Sequence, residues 1–175
     1  MHPKMNSPTP APELHELAHR VLIASGASPA NAAPTADALI AAELDGIPSH
    51  GLSRLPFYAD QIRSGKIDGR AIPEVLKPAK AALRVDARNG LAFPAIALGL
   101  ARGAALARDT GIVAIAIANS HHCGVAGHHV EALAKEGLVG LAFANTPASQ
   151  EKQGRGHHGK CDHVGEYHVV QQLFE

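Results

Sequence analysis

Two short segments carry the side chains best suited to chemistry. The first is Ser49-His50-Gly51-Leu52-Ser53-Arg54. An imidazole can deliver a proton near neutral pH. A neighbouring hydroxyl can hydrogen-bond the ring and fix its orientation. An arginine four residues on can clamp a carboxylate in a bidentate pair. Together Ser49, His50 and Arg54 suit a small acid whose 2-carbonyl or imine becomes an alcohol or amine. The plain alternative is a helix terminus with a solvated histidine and a surface arginine.

The second segment is Asn119-Ser120-His121-His122-Cys123-Gly124-Val125-Ala126-Gly127. It reads as a loop from a buried strand into a helix. Backbone N–H groups at a helix N-terminus, with glycine allowing close approach, suit an anionic group. The spacing is not G-x-G-x-x-G, so a Rossmann site is not indicated. A bare connection is the competing interpretation. Cys123 could act as a nucleophile, because a helix N-terminus lowers a thiol pKa. No base-and-orienter arrangement accompanies it, which favours a structural role.

A metal reading also competes. The chain has twelve histidines, and His121, His122, Cys123, His128, His129, Cys161 and His163 are all potential Zn²⁺ ligands. No paired C-x-x-C spacing appears, and adjacent histidines on a helix point in different directions. The expectation is therefore no native metal site.

Elements that would position these segments follow from the apolar pattern. Leu14, Leu17, Val21 and Leu22 repeat at helical spacing, and Gly26 stops that helix. Ser28-Pro29 reads as an N-cap with proline at the first helical position of a second helix, which runs to about Asp45. Ile47–Gly51 reads as a loop, 54–64 as a third helix, and 65–80 as turns around Gly69, Pro73 and Pro78. From residue 81 the pattern alternates. A strand at 82–86 ends in an Asn89-Gly90 turn, and a helix follows over 93–109. Ile112–Ala118 is a continuous apolar run that fits a strand covered on both faces. Another helix spans about 126–136, and Leu138–Ala144 is a second buried strand. Strand, helix, strand, helix, strand is an α/β order. Residues 1–10 read as a disordered lead, and 150–175 as a polar, His-rich, poorly ordered tail.

Composition excludes several classes. Lys+Arg and Asp+Glu are both 16, so no basic excess draws nucleic acid or anionic lipid. No apolar run approaches the roughly 18–20 residues that span a bilayer. Two cysteines make no disulfide framework, and the default is a cytoplasmic protein. Aromatic residues are 3% of the 175, so the 46% that is apolar must build its core mainly from Ala, Leu, Ile and Val.

The stretch from Asp45 to Tyr58 resembles the signature D-x-x-x-S-H-G-x-x-R-x-P-x-Y of the malate/L-lactate dehydrogenase family, whose NAD(P)-binding domain is not a Rossmann fold. Asn119–Gly127 resembles the N-S-x-H-x-G-x-A-G loop of the same family, and Gly137–Pro147 its next strand and turn. The resemblance implies His50 as proton donor, Ser49 as part of its relay and Arg54 as the substrate-carboxylate ligand. It implies NAD or NADP contacts at His122, Cys123, Gly124, Val125 and Ala126. It further implies a small 2-oxo acid or cyclic 2-imino acid as substrate, a homodimer, a helical N-terminal domain over 11–80 and a partial NAD(P)-binding α/β domain over 81–149. Two departures stand out. Cys123 occupies a usually aromatic position, and His128-His129 occupy positions that are often aromatic.

The resemblance stops at Gln150, whereas family members continue. The chain therefore reads as a member truncated after about residue 149, with an incomplete sheet and an uncovered apolar edge and face. The functional expectation is hydride transfer between NAD(P)H and C2 of the small acid. The alternatives are an inactive, truncated binding remnant or a small His-rich metal-binding protein.

Overall fold

The structure, a computed structural model, describes residues 9–144 and 165–172. Residues 1–8, 145–164 and 173–175 lie outside the described residues, and with them most of the proposed lead and tail. Three helices come first: α1 (Ala11–Ala24), α2 (Pro29–Leu44) and α3 (Leu55–Arg63). Strands β1 (Glu74–Ala79) and β2 (Ala82–Gly90) follow, then α4 (Ala92–Thr110), β3 (Ile112–Ser120), α5 (Ala126–Lys135), β4 (Val139–Ala144) and β5 (Gly165–Gln172). No described helix is long and apolar enough to cross a membrane.

The helical part buries a small-residue core. Ala18, Leu22, Ala32, Ala36, Leu39, Tyr58 and Ile62 pack together, and Phe93 from α4 inserts among them. Alanine faces let α1 and α2 approach closely, while Tyr58 and Phe93 supply the bulk. Pro29 occupies the first helical position with Ser28 as its N-cap, although the Ser28 side chain makes no capping hydrogen bond. Buried Asn31 ties this layer to the following segment by donating from Nδ2 to the carbonyls of Gly69 and Ala71, both at 2.9 Å.

The sheet runs in the order β1-β2-β3-β5-β4. β2 and β3 are parallel, the product of a crossover through α4. β1 pairs antiparallel with β2, and β5 lies antiparallel between β3 and β4. Helices α4 and α5 cover one sheet face, over Val85, Val113, Ile115 and Ile117, with Leu133 of α5 packed into the same core.

Several expectations need correction. The stretch expected to be turns contains β1, an edge strand, and edge strands tolerate the proline that a central strand rejects. Part of the tail, read as without a period, forms β5. Asn89-Gly90 is no free turn: Arg88 and Asn89 take positive φ values of 54° and 58° within an irregularity at the end of β2. The two apolar runs are covered on one face rather than two. Register aligns Ile112, Ala114 and Ala116 of β3 through β5 with Val139, Leu141 and Phe143 of β4. On that open face Val139, Leu141 and Phe143 are 45%, 53% and 57% exposed. Among the described residues, the uncovered apolar face expected of an incomplete sheet is thus present.

Candidate active site

His50 closes the first of two short 3-10 turns, Pro48–His50 and Leu52–Arg54, that link α2 to α3. The linker is held by its own neighbours. Leu52 N–H donates to Glu43 Oε1 at 2.6 Å, Ser53 Oγ donates to the Pro48 carbonyl, and Arg54 Nε donates to the Ser49 carbonyl at 2.9 Å. Gly51 lies flat against the Glu43 side chain, with no room for a Cβ. The Ser49 hydroxyl meets His50 Nδ1 at 3.0 Å, which orients the ring and leaves Nε2 for another partner. Among the described residues the Arg54 hydrogen bond uses Nε; its guanidinium carbon sits 5.9 Å from the centre of the Phe57 ring.

The second segment leaves β3 at Ser120 and enters α5 at Ala126. It meets the first: the rings of His50 and His122 stand 5.4 Å apart. Gly124 N–H donates to His122 Nδ1 at 3.0 Å, and the Tyr58 hydroxyl lies 3.4 Å from the His122 carbonyl oxygen. Nδ1 is therefore an acceptor, and the neutral His122 ring carries its proton on Nε2. Burial first, then the charges of Arg54, His50 and His121, push the His122 pKa down to about 4. The ring is a neutral hydrogen-bond donor at physiological pH. His121 is also pushed down, by burial and then by Lys66.

Gly124 has φ +71°, and a Cβ there would stand 2.9 Å from the Phe93 ring. Glycine alone fits this turn without strain. The result is a cleft of about 300 Å³ lined by Ile47, His50, His122, Cys123, Gly124, Val125, Ala126 and Ala144. His50 and all five residues expected at a cofactor thus share one cavity. Ser49 joins through the His50 ring, and Arg54 through the Ser49 carbonyl. Cys123 is buried and belongs to the core packing under α4 and α5. Among the described residues, no three His, Cys, Asp or Glu side chains are grouped so as to hold a metal ion.

Sequence reasoning missed Glu43 and Phe93 as supports and Ile47 and Ala144 as walls. Apolar lining residues have no local signature. Glu43 is an ordinary last-turn residue until the linker folds back on it. Where β3 passes into the loop, Ser120 Oγ and His121 Nδ1 are buried with no hydrogen-bond partner among the described residues. Such atoms are rare in a finished protein interior.

A family model described as malate/L-lactate dehydrogenase matches residues 9–154. Over 144 residues the chain is 55% identical to a (2R)-3-sulfolactate dehydrogenase (NADP(+)) of Chromohalobacter salexigens, covering 81% of this chain and 42% of that protein. The crystal structure of delta1-piperideine-2-carboxylate reductase from Pseudomonas syringae pv. tomato matches at a TM-score of 0.75 and 37% identity, over 78% of this chain and 41% of that one. Malate dehydrogenase from Pyrococcus horikoshii OT3 matches at a TM-score of 0.74 and 31% identity, over 79% and 40%. The chain thus spans about two fifths of the length of the relatives it matches.

Proposed function

The chain belongs to the malate/L-lactate dehydrogenase family, and on that premise we propose that it carries the proton-donor and nicotinamide-side portion of an NAD(P)-dependent reductase of small 2-oxo or cyclic 2-imino acids. The observation that carries this reading is the meeting of His50 and His122 across one cleft, 5.4 Å ring to ring, with Cys123–Ala126 forming its other wall.

The residues fit a dinucleotide. The walls are mostly apolar, and the backbone of the loop from His122 to Ala126 lines the cleft directly. His122, Cys123, Gly124, Val125 and Ala126 would hold it. Bound there, reduced nicotinamide supplies a hydride for C2 of the acid. The protein's own part is to bind, orient and protonate. Arg54 takes the substrate carboxylate with its terminal guanidinium nitrogens. Ser49 holds the His50 ring through Nδ1, so that Nε2 faces the developing alkoxide or amine nitrogen and delivers the proton. His122, kept neutral, adds a hydrogen-bond donor without a competing charge.

The relative named as a sulfolactate dehydrogenase uses NADP(+), which favours NADP over NAD as the first cofactor to try. The proposal extends to a homodimer acting in the cytoplasm, on the strength of the family resemblance; sedimentation equilibrium tests the dimer.

Binding and turnover are measured separately, because the chain spans 42% of that relative. Fluorescence titration of the folded chain with NADPH and NADH should give saturable binding. Oxidation of (2R)-3-sulfolactate with NADP⁺ and reduction of Δ1-pyrroline-2-carboxylate with NADPH then test turnover. His50→Ala should lower any turnover about 100-fold or more while leaving NADPH binding in place. A folded chain that binds neither nucleotide refutes the cofactor assignment, and unchanged turnover in His50→Ala refutes the proton donor.

A further inference from the structure

The two loops of the site are tied by a side-chain pair that the proposed chemistry does not use. Asp45 caps the C-terminal end of α2, and His128 lies in the first turn of α5. They are 83 residues apart in sequence, yet His128 Nε2 meets Asp45 Oδ2 at 2.7 Å. Asp45 stands immediately before the linker that ends in His50, and His128 follows the loop that begins with His122.

Packing alone does not fix how these two helix ends approach. Between α2, α4 and α5 lies an apolar cleft of about 270 Å³, lined in part by Ala38, Ala41, Phe93, Val125 and His128. The facing sides of α2 and α5 are therefore not sealed against each other, and each packs instead on α4. His128 is part of the wall of that gap, and its ring reaches from there to Asp45 at the end of α2. The adjacent histidine makes a different contact. His129 Nε2 donates to the Cys123 carbonyl at 2.8 Å, fastening the loop to its own helix. Successive helix positions point about 100° apart, so one ring reaches inward to the loop and the other across to α2. His128 is largely covered while Asp45 is more than half exposed. A pair of this kind adds little to global stability, and its effect is geometric.

We propose that Asp45 and His128 are positioning residues that set the separation of His50 from His122. The inference rests on reading those loops as the proton-donor and cofactor sides of one site.

The test uses the whole 175-residue chain with ¹³C,¹⁵N-labelled histidine, and needs neither cofactor nor turnover. In the parent protein a through-space NMR cross-peak should join the ring protons of His50 and His122. Asp45→Ala and His128→Ala should each abolish it, with the melting temperature little changed. Asp45→Asn, which retains an oxygen acceptor, should restore it. A cross-peak that persists at full intensity in both alanine variants overturns the proposal. So does an alanine variant that fails to fold, since the pair would then support the fold rather than the spacing of the loops. Failure here leaves the His50 proton-donor reading standing, and failure of NADPH binding leaves this geometry to be judged by its own spectrum.

Discussion

The weak basicity of His122 couples the site to the stability of the whole chain. The folded ring titrates near 4 instead of its ordinary 6.5, because it is buried and then because Arg54, His50 and His121 surround it with positive charge. Between those two pH values the unfolded chain binds more protons than the folded one, so stability rises with pH across that window. The stabilisation is fully present above pH 6.5. It is lost progressively as pH falls, and is gone below about 4. At 1.36 kcal/mol per pH unit the full effect is roughly 3 kcal/mol, and partial access to water reduces it to about 1–2 kcal/mol. His122→Gln supplies an oxygen for the Gly124 N–H but cannot titrate. Urea unfolding of both proteins at about pH 7.5 and about pH 4.5 measures the difference. The variant should gain about 1–2 kcal/mol relative to the parent at the lower pH. His121 and His129, whose pKa values are also lowered chiefly by burial, remain in both proteins and largely cancel. A gap between the two proteins that does not change with pH would refute the assignment of a buried, neutral His122.

Two further perturbations act on the supports. In Gly51→Ala the new methyl would stand 2.7 Å from Glu43 Cδ, displacing the carboxylate from the Leu52 N–H. Loss of that charged hydrogen bond should cost about 1–2 kcal/mol and lower the melting temperature by roughly 2–8 °C; an unchanged calorimetric midpoint would show that Glu43 does not hold the linker. On the open sheet face, Leu141→Glu puts a charge where the parent exposes an apolar side chain. Light scattering should detect less self-association, with stability altered by no more than about 0.5 kcal/mol, and equal association would mean that this face is not the sticky surface.

The helices were legible because their apolar residues recur at a 3.6 period and their ends carry recognisable stops, as at Gly26 and Gly111. The α/β order after residue 81 was legible from the lengths of the apolar runs at β3 and β4. What escaped was set by partners distant in sequence. β1 includes Pro78 and Lys77, which argue against a strand until β2 is seen beside it. β5 carries Gln171 and Gln172 and joins the sheet only by pairing with β3 and β4. In the site, type and spacing offered Ser49, His50 and Arg54 only beside a plain alternative, and the family resemblance implied their roles and those of His122–Ala126; the fold brings His50 to that loop. Their supports were not legible. Asp45 was a motif letter and His128 a departure from the usual aromatic, and neither identity announces a bond across 83 residues.

The two loops also differ in how far their restraints reach along the chain. The His50 linker is fastened over short spans: Glu43 to Leu52, Pro48 to Ser53 and Ser49 to Arg54. The His122 loop has short ties of its own, Gly124 to His122 and His129 to Cys123, but it also leans on Tyr58, 64 residues away, and through α5 on Asp45, 83 residues away. Short-range ties survive a partial opening of the molecule, and long-range ties break with it. On that basis the linker should keep its shape in partial openings that release the glycine loop. Hydrogen exchange should therefore be faster at the amides around Gly124 than at Leu52 N–H, and equal protection would refute the difference.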